Sequence, residues 1–166
     1  MPVTRDIVAT YRGPGRVVRR LMAAGQREDR VLATLMAGCV VTYVAQWPRL
    51  ARQAHVTGEE LQMLLGSSLL ALVMILPLLL YALSLVSHLV SKVFGGNGTA
   101  YGARLALFWA VLAASPVLLL WGLVAGFIGH GPALTLTGAI WLALFLWFWI
   151  SGQRVVMFMP PLEPAE

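Results

Sequence analysis

Few residues in this chain have the type and spacing to do chemistry. Three histidines, one cysteine and seven carboxylates are spread through 166 residues. His55 and His130 could join Glu59 and Glu60 in a metal site, since imidazole and carboxylate together suit zinc. The two histidines lie far apart in sequence, which is weak support. Cys39 is the single cysteine, which excludes an intrachain disulfide framework and a cysteine-rich metal site. Met36-Ala37-Gly38-Cys39 has the outline of a lipoprotein cleavage box. Only Val31 to Met36 precede it as an apolar stretch, too short for the hydrophobic region of a signal. A cysteine packed inside a helix is the better reading. The turn Lys92 to Thr99 holds Gly95-Gly96-Asn97-Gly98, glycines that in another setting cradle a phosphate. No Lys-Ser/Thr follows and no strand precedes, so nucleotide binding is not expected. No residue qualifies as catalytic, and no cofactor, metal or nucleic acid is expected.

The arginines carry a stronger signal. Eleven of the twelve basic residues are arginine, and seven precede residue 31. Two short helices are expected there, over 3–11 and 16–26, separated by Gly13-Pro14-Gly15. In the second, Val17, Val18, Leu21, Met22 and Gly25 fall within an arc of roughly 140° at about 100° per residue. Arg16, Arg19, Arg20 and Arg27 fall on the opposite side. This pattern suits a helix in the membrane interface, its apolar face toward the acyl chains and its guanidinium groups among anionic headgroups. A helix docked on the bundle or on a partner protein would show the same pattern. Lipid or partner binding is therefore expected at these four arginines.

The elements that must position these residues are membrane helices. Apolar residues make up 59% of the chain and charged residues 11%, against roughly 25% charged in soluble domains. From Leu61 to Ser91 there is no Asp, Glu, Lys or Arg. Roughly 20 residues cross a bilayer, so this run is long for one crossing and too short for a hairpin. One long helix over 62–91 follows, with Pro77 at its middle. Further crossings are expected at 31–48, 103–129 and 134–151. In the first, Ala33, Ala37, Gly38, Thr42 and Ala45 make a small-residue side for close helix approach. Arg49 to Glu60 reads as a polar loop. The third crossing carries Pro116 in its middle, beside Ser115, and the small-residue step Gly122 to Gly126. The fourth ends in the aromatic anchor Phe145, Trp147 and Trp149. Gly38, Pro77, Pro116, Gly122 and Gly126 are the expected packing positions.

The fold expected is thus all-α. An integral membrane bundle of about four transmembrane helices spans 31–151, behind a basic, interfacial segment, 1–30, with an amphipathic helix. A tail, 152–166, follows, and its proline-rich acidic end is expected to be disordered. With the N-terminus inside, inner segments hold ten basic residues and outer ones only Arg49 and Arg52. Ten against two puts both termini in the cytoplasm, by the positive-inside rule. The sequon Asn97-Gly98-Thr99 then lies on the cytoplasmic side.

The chain resembles the Yip1-domain proteins, polytopic membrane proteins with a cytoplasmic N-terminus. The resemblance rests on the lead-in Gly13-Pro14-Gly15-Arg16-Val17-Val18-Arg19-Arg20 and on the long second helix. It rests further on Gly95-Gly96-Asn97-Gly98-Thr99, followed by a helix with central Pro116. It covers roughly residues 12–150. Family members usually have five crossings, against four here. The resemblance implies a non-catalytic membrane protein, and the arginine bias suggests a bacterial inner membrane.

Two function classes follow. One is a structural, lipid-interacting or accessory component of a membrane complex, partnered by another membrane protein or by itself. The other is a small transporter or channel. Transport commonly leaves ionisable residues within the membrane, and beyond Arg104, which leads into the third crossing, the crossings contain only His88, near the end of the second helix.

Overall fold

The computed structural model describes residues 3–158, and among them every regular element is helical. The expected disordered end of the tail, 159–166, lies outside the described residues. Helix α1 (Val3–Thr10) and helix α2 (Pro14–Ala23) form a hairpin about Gly13. Pro14 sits in the first turn of α2, where its missing N–H leaves no helical bond unmade. Gly25 lies past the end of α2 with φ of 91°. It belongs to the turn, which removes it from the apolar arc expected over 16–26.

Helix α3 (Glu28–Thr57) is longer than the crossing expected at 31–48. It continues through Pro48 and ends where Gly58 turns left-handed at φ 74°. Most of the expected loop Arg49–Glu60 is therefore helix. Pro48 has no N–H to return to the Val44 carbonyl. Gly126 packs closely against Pro48.

Helix α4 (Leu61–Leu69), a wide π turn (Leu70–Ile75) and helix α5 (Leu76–Val93) form one rod. It covers the crossing expected at 62–91. In the π turn the Leu76 N–H reaches back five residues to the Ala71 carbonyl. The widened turn lies directly before Pro77 and makes room for its ring.

The third crossing, expected as one helix over 103–129, is two. Helix α6 (Ala100–Ala113) and helix α7 (Ser115–Phe127) meet at 43°. Pro116 falls in the first turn of α7, so it starts a helix and does not kink one. Helix α8 (Pro132–Phe158) outruns the crossing expected at 134–151. Residues 152–158, read as the start of a tail, are its last turns.

Three helices are long and apolar enough to cross a membrane, or four if the α6–α7 pair counts as one span. Helix α6 sits at the centre, buried on nearly every side, as an all-round apolar helix must be. Helix α3 runs parallel to the α6–α7 pair. Gly38 faces Val111, Ala45 faces Gly122, and Pro48 faces Gly126. Helix α8 runs antiparallel to it, with Gly152 against Ala106 and Gly138 against Trp121. Two apolar clusters share α6, one reaching Val18, Phe148 and Val156, the other Val31, Leu35 and Leu80. The rod Leu61–Val93 leaves Leu78 72% and Leu79 60% exposed. Such a surface is compatible with a lipid environment and unusual for a soluble monomer.

Candidate functional site

The α1–α2 hairpin packs onto α6 and α8. Val17 and Val18 are buried against Ala103, Ala106, Val156 and Met157. This corrects the orientation in which the α2 apolar face meets acyl chains: the face is already filled by protein. Small residues permit the fit, since Gly15 lies under Val155 and Gly152 under Val18. At the tip, Trp109 of α6 donates its indole N–H to the Thr10 hydroxyl at 3.0 Å. That hydroxyl donates in turn to the Asp6 carbonyl at 2.7 Å. Tyr11 stands edge-on to Phe148 with ring centroids 5.1 Å apart. Partial burial pushes the Tyr11 phenol above its ordinary pKa.

The four arginines selected from sequence do not act as one face. Arg20 turns back to pair with Asp6 and pins α1 to α2. Arg27 pairs with Asp29 at 3.2 Å, and its backbone N–H donates to the Tyr101 hydroxyl at 3.1 Å. Arg16 is exposed and reaches the Arg12 carbonyl at 3.4 Å. Arg19 is half-buried and pairs with no carboxylate among the described residues. Arg104 of α6 pairs with Glu28 and ties the start of α3 to the same end of the bundle.

Arg19 lines a cavity of about 720 Å³ between the end of α2, the 94–99 turn and the last turn of α8. The turn is anchored on both sides. The Gly96 N–H donates to the Ser91 carbonyl and the Asn97 N–H to the Met157 carbonyl, each at 2.9 Å. Gly98 lies so close to Met157 that a Cβ there would meet its Cα at 2.9 Å. The glycines of this turn thus serve close packing on α8. Thr99 caps α6, its side chain accepting from the Gly102 N–H at 3.2 Å.

A second polar group lies between α5 and α8. Gln153 donates to the Ser87 hydroxyl. His88 and Gln153 are buried, and His88 Nδ1 and Gln153 Oε1 have no partner among the described residues. Sequence reading identified His88 but missed Gln153, which it had assigned to the tail. At the opposite end Arg52 donates to the last carbonyls of α7, Gly126 and Phe127, at 3.2 Å each. This closes a helix C-terminus. His55 and His130 are both exposed there. Among the described residues no group of three or more His, Cys, Asp or Glu converges on a metal position. Cys39 is fully buried in α3.

Of the expected packing positions, Gly38, Gly122 and Gly126 all lie where α3 meets α6–α7. Pro77 and Pro116 lie at the π turn and the helix break. Asp6, Thr10 and Trp109, which hold the hairpin down, were not found from sequence. The one available signal was Trp109 itself, because a buried indole N–H requires an acceptor. No family model, curated protein or solved structure matches this chain.

Proposed function

We propose that this chain is a non-catalytic integral membrane protein of Yip1-like type. It serves as a structural, lipid-interacting or accessory component of a membrane complex in a bacterial inner membrane. The observation that carries the reading is the docked hairpin. Its apolar side is spent on α6 and α8, which leaves Arg16 and Arg19 as cations held at one end of the bundle without carboxylate partners among the described residues. Both termini lie on the cytoplasmic side, where each arginine gains about 1 kcal/mol near an anionic leaflet before screening. The exposed faces of α4–α5 and α8 are free for lipid, for another membrane protein or for a second copy.

The test is the full chain in nanodiscs of mixed phosphatidylglycerol and phosphatidylcholine, with bound lipid identified after mild-detergent extraction. Enrichment of the anionic lipid, lost on replacing Arg16 and Arg19 by glutamine, is the expected result. A protein that extracts alone, with no lipid preference and no copurifying membrane protein, would end this reading.

A second reading, a small transporter or channel, is favoured by one observation. The buried His88 and Gln153, with the π turn before Pro77 and the break at Pro116, are the irregular and polar features that transport paths use. Proteoliposome uptake that depends on His88 would support it.

A further inference from the structure

We infer that the cavity beside Arg19 is a binding site for a phosphate group, supplied by a phospholipid headgroup. This deepens the lipid-interacting reading above and rests on it. Three separate pieces of chain build the site: Arg19, Met22 and Gln26 from the end of α2 and its turn, Asn97 and Thr99 from the glycine turn, and Phe158 from α8. Its volume, about 720 Å³, lies in the range of roughly 300–1,000 Å³ that small ligands occupy.

The chemistry of the lining is one-sided. Arg19 is its one charged residue, and no carboxylate among the described residues faces it. The guanidinium makes no hydrogen bond to the described residues, and neither do the side-chain amides of Gln26 and Asn97. Arg20 and Arg27, by contrast, are already matched to Asp6 and Asp29. A planar guanidinium with two amides beside it provides the donors that a phosphate accepts from. The remaining walls are carbon, from Met22, Val156 and Met157. A ligand with one anionic and one apolar part fits such a lining better than a bare ion does.

The experiment titrates delipidated full-length protein in detergent with phosphatidylglycerol or diacylglycerol, and counts bound lipid by native mass spectrometry. Wild type should prefer the phospholipid. Arg19→Gln should weaken that binding about tenfold, with Arg19→Lys recovering part of it. Arg12→Gln, an exposed arginine outside the cavity, should change it less than about twofold. Ala23→Trp, which fills the cavity from an exposed position, should match Arg19→Gln while thermal stability holds. Millimolar inorganic phosphate should compete poorly; full displacement would assign the phosphate site to a soluble donor. Equal losses from Arg12→Gln and Arg19→Gln would overturn the cavity and leave only diffuse headgroup attraction. No preference for phosphatidylglycerol over diacylglycerol in wild type would overturn the wider lipid reading as well.

Discussion

Thr10 and Trp109 are joined by a buried hydrogen bond of 3.0 Å across 99 positions of chain. It fixes the tip of the N-terminal hairpin against the central helix. Thr10→Val keeps the shape and leaves the Trp109 N–H without an acceptor, at a cost of about 1–3 kcal/mol. Trp109→Phe removes the donor but also packing volume. The double variant should lose less than the sum of the two, because the unpaired N–H is then gone. Thermal unfolding in detergent measures each step, and simple additivity would show that the bond contributes nothing.

The seam of α3 with α7 makes a sharper demand on size. A Cβ at Gly126 would lie 2.8 Å from both the carbonyl carbon and oxygen of Pro48, and one at Gly122 would strike the Ala45 carbonyl. These neighbours are backbone and cannot swing aside. Alanine at either site should destabilise by about 1–3 kcal/mol, and leucine at both should prevent native packing. Gly66→Ala is the control: nothing lies within 4 Å of its Cβ, so it should gain up to about 1 kcal/mol from helix propensity. Equal melting temperatures for Gly66→Ala and Gly126→Ala would refute the close approach.

Much of this was readable from residue pattern, and the failures have physical causes. The apolar arc of α2 was visible because a period of 3.6 reports which side is buried. It does not report against what, so Val17 and Val18 fitted lipid and protein equally well. Proline misled in both directions. The first crossing is expected to end at Pro48, which lies inside a helix, while Pro116 is expected mid-helix and opens one. The difference lies in the neighbours: Gly126 packs on Pro48, whereas the chain at Ala114 bends to let α7 follow α3. Composition alone carries no such tertiary information. The cavity at Arg19 was invisible for the same reason, since its walls come from three stretches that meet only in the fold.

Tyr11 gives the hairpin a pH limit. Burial raises its phenol above the ordinary value of 10.0, so folding favours the protonated form. That contribution is complete below the unfolded pKa and is lost as pH climbs through the folded one. The hairpin should therefore loosen only in strongly alkaline solution, read by protease access at Arg12. Tyr11→Phe should delay the loosening, and should cost little at neutral pH because the hydroxyl has no partner among the described residues. An unchanged alkaline midpoint in that variant would move the cause elsewhere.

The orientation of the bundle can be read with single cysteines. Ten basic residues gather at the end formed by the hairpin, Arg104 and the α8 terminus, against Arg49 and Arg52 at the other. That asymmetry should hold the hairpin end in the cytoplasm. Cys39 is the native cysteine, fully buried, and Cys39→Ala clears the background. Ala24→Cys, Thr57→Cys and Phe158→Cys then place a thiol at three exposed positions. In intact cells a membrane-impermeant maleimide should label the site at 57 alone, and all three after lysis. Labelling at 24 but not at 57 would invert the bundle and detach orientation from the arginines. Labelling at 158 together with 57 would require an odd number of crossings. That result would part the last turn of α8 from the end of α2, with which it shares the Arg19 cavity, and would refute the packing of the hairpin on α8.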